Sequence, residues 1–409
     1  MRELILGEAL DTLIDHRGKT PKKLGGDFSS AGVPVVSALL VKNGRLMLSE
    51  ARYISQEIYG KWMPVGTRKN DVILTSEAPL GQCALVESDE PLALGQRVFC
   101  LRARSGLLDG RFLYYALQTN RVQAELASRS SGTTVLGIRQ SELLKVRVPV
   151  PGLDEQQATV EVLGALDDKI AANERIANAV LALADCYYEM VHREVGADAR
   201  STFSQLVTGG HLEFGDGYRT KKSEHGEPGL PILRVAEVAD GEIRPAFGDH
   251  VREEFRSAMG AKTSRAGDVV LTTKGTVGRA ALISAGSPEF VYSPQVCYFR
   301  AANNALVSNI YLFHWMRGTD FWRQAAGMKG QTDMADYLSL SDIKSMSIPL
   351  PSEGALAEFN RKCAALHARG EAARAENRTL AELRDALLPQ LVSGKLRVKD
   401  AARTVEEAV

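Results

Sequence analysis

From Asp154 to Val195 the chain carries no proline and a single glycine, Gly164. Apolar side chains recur there at alternating spacings of three and four: Leu163, Leu166, Ile170, Ala177, Val180, Ala184, Tyr187 and Val191, with one polar residue, Asn173, in the series. A heptad seam of this kind predicts one long helix whose apolar stripe is cut to fit a second helix. At about 1.5 Å per residue it would reach on the order of 60 Å, and such a rod in mid-chain is expected to act as a spacer. It has a copy near the C-terminus, EGALAEFNRKCAALHARGEAARAENRTLAELRDALLPQLVSGKL, with Phe359, Cys363, Leu366, Ala373, Leu380, Leu387 and Leu391 on the seam and Asn377 near the place of Asn173. Neither copy shows helix breakers for many turns, which predicts an antiparallel coiled coil with Asn173 and Asn377 fixing its register at some cost in stability. The plainer alternative is two amphipathic helices, each packed on its own domain.

The remainder of the chain is also duplicated. GVPVVSALLVKNGRL from Gly32 matches GLPILRVAEVADGEI from Gly229, and NDVILTSEAPLGQCALV from Asn70 matches GDVVLTTKGTVGRAALI from Gly267, both at an offset of 197. GQRVFCLRA aligns with SPQVCYFRA and FLYYALQTN with YLFHWMRGT; the segment from Ser130 to VPVP aligns with that from Met328 to IPLP. Short runs such as VPVVSALLV, DVILT, CALV, RVFCL and VRVPV, bounded by Gly, Pro and charge, read as strands, and RFLYYALQT and NIYLFHWMR as short helices. Each VPVP or IPLP ends a strand, because proline cannot continue the ladder. The expected order is a mixed α/β (α+β) globe over 1–152, a helix over 153–199, a second globe over 200–352, a second helix over 353–395 and a polar tail over 396–409.

A chain of 409 residues with 44% hydrophobic content holds two or three domains with real cores. The five cysteines stand far apart with no CxxC, against both a disulfide framework and a zinc site. The N-terminus lacks a signal-peptide core and no apolar run reaches membrane-spanning length, so a soluble, cytoplasmic protein is expected. Net charge is zero, but residues 1–153 hold 20 Lys+Arg against 15 Asp+Glu while 154–200 hold 4 against 10. A basic globe on an acidic helix suits nucleic acid held by the globe.

Catalytic patterns are absent from the sequence. Gly18-Lys19-Thr20 resembles the end of a phosphate loop, but Leu13 stands where the loop needs glycine. Asp167-Asp168-Lys169 has a nuclease-like spacing yet falls in mid-helix, where a solvated face is expected. The seven histidines form no HxxxH or HExxH set, and no nucleophile elbow, dinucleotide fingerprint or NPPF-type methyltransferase motif occurs. A non-enzymatic chain binding no metal or cofactor is expected.

Polar clusters at matching places in the two copies remain. Arg17, Lys19, Thr20, Lys22 and Lys23 open the first globe; Arg219, Thr220, Lys221 and Lys222 open the second. Ser76 follows one strand, and Thr273, Lys274 and Thr276 follow its copy. Arg129, Ser131, Thr133 and Thr134 precede the last strand of the first globe, as Lys329, Gln331 and Thr332 precede that of the second. Cations neutralise phosphates, and hydroxyls and loop amides hydrogen-bond them. A single such cluster is usually a solvated loop; three recurring in both copies favour DNA contact.

On the opening LGEALDTLIDHRGKTP, the VPVP and IPLP strand ends, DEQQATVEVLGALDDKI and the closing LRDALLPQLVSGKLRV, the chain resembles from end to end the DNA-specificity subunit of type I restriction–modification systems. It departs where EGALAEFN stands in place of an EEQ-type opening of the second helix. The resemblance implies two target-recognition domains reading the halves of a bipartite, asymmetric target on double-stranded DNA, held apart by the helical pair. It further implies two modification (methyltransferase) subunits carrying S-adenosylmethionine and methylating adenine, and restriction (motor-nuclease) subunits using ATP and Mg. The alternatives are a sequence-reading subunit of another DNA-modification or phage-defence complex, and a coiled-coil scaffold that binds no DNA.

Overall fold

The computed structural model describes residues 2–408, with 197, 245, 304 and 329–336 outside the described set. Two compact units share the chain: residues 1–171 with 377–409, and residues 172–376.

In the first unit, β1 (Arg2–Ile5), β2 (Leu10–Ile14), β3 (Val33–Val36), β4 (Arg52–Ile54), β5 (Val72–Thr75), β6 (Cys83–Leu85), β7 (Ala93–Leu94) and β8 (Val98–Ala103) precede the helices α1 (Gly110–Gln118) and α2 (Asn120–Ser128). A last strand, β9 (Arg147–Val150), leads into α3 (Leu153–Glu194). An antiparallel sheet of order β2-β8-β5-β6 lies beside a smaller β4-β3-β7 sheet whose β3–β7 pair is parallel. β1 pairs antiparallel with β9, Arg2 opposite Val150, so the globe's first and last strands close on each other. The β5 strand is buried on both faces, which its unbroken apolar run required.

The second unit repeats this order. β10 (Arg200–Thr202), β11 (Leu212–Asp216), β12 (Gly229–Leu233), β13 (His250–Arg252), β14 (Val269–Thr272), β15 (Ala280–Leu282), β16 (Val291–Tyr292) and β17 (Val296–Ala301) are followed by α4 (Asn309–Arg317), β18 (Ser347–Pro349) and α5 (Glu353–Val392). The sheets run β11-β17-β14-β15 and β13-β12-β16, and β10 closes on β18. Mixed globes and paired long helices are therefore the architecture, as the duplication implied.

The two long helices run antiparallel within each unit. In the first, Leu163 and Leu166 of α3 share a core with Leu380, Leu387 and Leu391 of α5, and Asn377 Nδ2 donates to Ile170 O at 3.1 Å. In the second, Asn173 Nδ2 donates to Glu376 Oε2 at 2.8 Å, and Ala184 packs in one core with Phe359 and Cys363. Each such buried Leu contributes about 1.5–3 kcal/mol relative to exposure. Three details differ from the sequence reading. Tyr188, not Tyr187, fills the seam, because its ring packs against Tyr311 of α4. Pro389 lies inside α5, within the last turn, where the ladder beyond it is short. The expected polar tail forms a further helix, α6 (Val398–Ala408), with Ala401 buried against the first unit's core.

The sequence also explains how each globe grips its helix. Gln156, fully buried, accepts from Asp109 N–H at 2.8 Å and donates to Leu107 O and Pro151 O. Asp109 caps α1, so the glutamine of DEQ ties that cap to the long helix. In the second globe the cap is Ser308, whose hydroxyl donates to Asn360 Oδ1 at 2.5 Å, while Leu356 takes the place of Gln156. The EGALAEFN opening has its own junction, built four residues further along.

Candidate nucleic-acid interface

In the first unit three of the sequence clusters meet at Ile138. Its N–H donates to Ser76 O at 2.9 Å, and its carbonyl accepts from Arg17 Nη1 at 3.3 Å. Ser76 N–H in turn donates to Arg97 O, and Arg97 Nε lies 3.2 Å from Glu77 Oε1. The opening loop, the loop after β5 and the loop before β9 thus form one surface, with an open recess lined by Asp15, Arg17, Gly18, Glu77, Gln96 and Arg97.

The second unit repeats the stitching. Thr273 N–H donates to Gln295 O at 2.9 Å, Leu338 N–H donates to Thr273 O at 3.0 Å, and Lys274 pairs with Tyr337 as Glu77 does with Gly137. One residue earlier in each copy a buried threonine closes the loop. Thr75 Oγ1 donates to Pro79 O and accepts from Gln82 N–H; Thr272 Oγ1 donates to Thr276 O and accepts from Arg279 N–H. Both hold the strand-end loop in a fixed shape without using its exposed edge.

The expected contact residues fall into distinct groups. Lys22, Arg219, Lys222 and Lys274 are exposed, with no side-chain partner among the described residues. Lys221 is exposed, its backbone N–H held by Glu224. Thr133, Thr134 and Ser131 are exposed on the loop before β9, and Thr276 on the loop after β14. Thr20 accepts weakly from Lys23 N–H at 3.4 Å, and Thr220 pairs with His225.

Other cations are already engaged. Arg17 forms a two-point pair with Asp15 at 2.8 and 2.7 Å and lies 4.1 Å from the Phe99 ring centroid. Burial would raise the Asp15 pKa, but the Arg17 hydrogen bonds outweigh it and hold the carboxyl below its ordinary value. Lys19 Nζ donates to Trp62 O, Lys23 Nζ to Gly18 O, and Arg129 makes two bonds to Glu125. These side chains brace loops. Ser76 and Thr273, expected to offer hydroxyls, are buried at 1% and 2% exposure; their backbones carry the stitching instead. Lys329, Gln331 and Thr332 lie outside the described residues.

The sequence reading missed Arg97 and Arg139. Arg139 is exposed with no side-chain partner among the described residues and directly follows Ile138. Arg97 directly precedes β8, with φ +65°. The alignment of GQRVFCLRA with SPQVCYFRA carried the signal, since it puts Arg97 opposite Gln295, the residue that stitches the second loop.

Asp167 sits differently from the solvated position expected of it. It accepts from the Tyr115 hydroxyl at 2.7 Å and pairs with Arg384 at 2.9 Å. Burial drives Cys83, Cys297 and Cys363 up to about 12, which leaves these thiols protonated and poor as nucleophiles. Among the described residues no group of three His, Cys, Asp or Glu side chains is placed to hold a metal, and no helix is long and apolar enough to cross a membrane.

Residues 6–182 match the type I restriction modification DNA specificity domain. The MjaIX type I restriction enzyme specificity subunit of Methanocaldococcus jannaschii is 24% identical over 349 residues, 81% of this chain and 79% of that protein. The EcoBI specificity subunit of Escherichia coli is 26% identical over 148 residues, 36% of this chain and 31% of its own length. In fold, the S subunit of a type I restriction–modification system from M. genitalium superposes with a TM-score of 0.55 over 95% of both chains at 17% identity. Over residues 6–182 the chain is thus similar to the type I restriction modification DNA specificity domain, and over most of its length to the specificity subunit of a type I restriction enzyme.

Proposed function

We propose that this chain supplies DNA sequence specificity to a type I restriction–modification complex, each globe reading one half of a bipartite, asymmetric target. The observation that carries the reading is the stitching repeated in both units: strand-end loops fixed from below by Thr75 and Thr272 and tied to the loop before the last strand through Ser76–Ile138 and Thr273–Leu338. Rigid loops bearing solvated cations position a protein on phosphates, and loops held in one shape keep side chains in register with base edges. The globes differ in the residues on these loops, so the half-sites differ.

Chemistry belongs to partners in this reading. Two modification subunits carrying S-adenosylmethionine would methylate adenine, and restriction subunits with ATP and Mg would cleave unmodified DNA, while this chain stays non-catalytic. Assembly of the full chain with modification subunits, followed by mapping of methylated adenines on genomic DNA, tests it. One recurring split motif that disappears with this chain is the expected result. Methylation that is unchanged without the chain overturns it.

A further inference from the structure

Among the described residues, two large apolar side chains that are both exposed stand next to each other in sequence: Val135 at 51% and Leu136 at 50%. Single exposed apolar residues are ordinary on a protein surface. This pair sits on a loop that the fold holds rigidly outward. Ser131 and Gly137 exchange two backbone hydrogen bonds, at 2.8 and 2.9 Å, closing the loop at its base. Gly132 has φ +122°, and a Cβ there would come 2.1 Å from Val135 O, so the curl of the loop requires glycine. The base is tied to Ser76 through Ile138, beside Arg97 and Arg139. Four residues, Thr133 to Leu136, are left as an exposed tip in the middle of the candidate interface.

We propose that Val135 and Leu136 read thymine in the half-site bound by the first globe, by packing against C5-methyl groups in the major groove. The proposal rests on the reading of this globe as a DNA reader. Duplex DNA offers apolar side chains two kinds of surface: base faces, which stacking conceals, and the thymine methyl, which lies open in the major groove. A loop of two backbone segments about 5 Å apart is roughly 10 Å across with its side chains. It fits a groove about 12 Å wide and not one of about 6 Å, which excludes the minor groove. Thr133 and Thr134 place hydroxyls beside the methyl-bearing side chains, suited to the polar edge of the same or the next base pair.

The test uses the full chain assembled with modification subunits and the duplex that methylation mapping identifies. Each thymine is replaced singly by deoxyuridine, which removes only the methyl. Binding should weaken about fourfold at one or two positions, all within one half-site. The double variant Val135→Ala/Leu136→Ala should bind the parent duplex more weakly and lose the discrimination at those positions. Its melting temperature should match the parent's, because the tip is solvated. Specific binding with no deoxyuridine effect, or a double variant that keeps the effect, overturns the thymine contact while leaving the DNA-reading function standing. So does a half-site with no thymine in either strand. A rise in 2-aminopurine fluorescence on binding, lost in the double variant, would mean insertion between bases and also overturns it. Absence of any sequence-specific binding sinks the parent reading instead.

Discussion

His314 Nε2 lies 3.0 Å from His367 Nε2 in the second unit, at the place where the first unit sets the Tyr115 hydroxyl 2.7 Å from Asp167. Tyr115 and His314 occupy matching positions on α1 and α4, and Asp167 and His367 matching positions on the helices that follow each globe. The third member comes from the returning helix: Arg384 in the first unit, Asp185 in the second. The junction is therefore the same in place, but its carboxylate has moved from the helix that follows the globe to the returning one. Asp185 accepts from His314 Nδ1 and from Arg317, so a neutral His314 presents its Nε2 lone pair to His367 Nε2–H.

Acid should loosen the second unit through this pair. Burial, then the neighbouring His314, lowers His367 to about 4, and burial also lowers His314. In the unfolded chain both titrate near 6.5, so as pH falls the unfolded state takes protons first. The stabilisation is complete above about 6.5 and is lost progressively down to about 4, amounting to about 2 kcal/mol at pH 5 for His367 alone. His367→Gln keeps an N–H for His314 but does not titrate. Thermal melts at pH 7.5 and 5 should show a smaller drop in Tm for this variant than for the parent; equal drops would exclude the pair as the source.

Cations in the same sequence cluster should respond differently to removal. Lys22, Arg139, Arg219 and Lys222 are solvated, and replacing any one with Ala should reduce the salt slope of DNA binding by about one unit for all sequences alike. Lys19→Ala should leave the slope unchanged and lower stability, since its ammonium holds Trp62 O. Binding titrations between 50 and 200 mM salt, at roughly tenfold loss per few contacts, distinguish the two classes. An unchanged slope for all four solvated cations would remove them from the phosphate contacts.

What the sequence made legible depended on period and repetition. A seam such as Leu163, Leu166 and Ile170 has one low-energy reading, and an offset of 197 carries a whole globe's strand order with it. Side-chain direction was less accessible. Ser76 and Thr273 directly follow strands buried on both faces, and the pattern of residue types does not show how far past a strand end the burial runs, so their hydroxyls could not be placed from it. Tyr187 and Tyr188 pose the same problem on a helix, decided by the Tyr311 ring from a distant element. The engagement of Arg17 with Asp15 was visible as two nearby opposite charges, but charge spacing alone does not separate a pair from a free cation.

At one end of each large sheet a matched buried ion pair ties two adjacent strands, one step past the Leu101–Val72 and Phe299–Val269 pairs. Arg102 meets Asp71 in two bonds, at 3.0 and 2.7 Å, and Arg300 meets Asp268 likewise at 2.7 Å each. Asp71 and Asp268 are 2% and 1% exposed. Arg102→Met would leave a carboxylate uncompensated in the core, costing about 3–5 kcal/mol, whereas Asp71→Asn with Arg102→Met together should cost less than the sum. Urea unfolding of the two single variants and the double variant measures the coupling. Strict additivity would mean the pair contributes nothing as a pair.

The closure of each globe by its own end strands makes a cassette exchange the most demanding test. Arg2 to Ile5 pairs with Arg147 to Val150, so residues 2–150 leave and re-enter the scaffold at one point, just ahead of the long helix. Replacement of 2–150 by the same segment of another family member should change one half of the recognised sequence and leave the other half intact. The graft must also satisfy the helix beneath it. Gln156 needs the backbone N–H of an α1 cap at Asp109 and the carbonyl of Leu107, which any backbone of the same shape provides. Asp167 needs the Tyr115 hydroxyl, which only the side chain provides. Donors with tyrosine at that position should yield chimeras near parental stability. Donors with phenylalanine there should lose about 1–2 kcal/mol, because Asp167 keeps Arg384 but is left without its second partner. Methylation mapping reads the half-sites and thermal melts read the junction. A chimera in which both half-sites change would show that the globes read DNA jointly, whatever its stability.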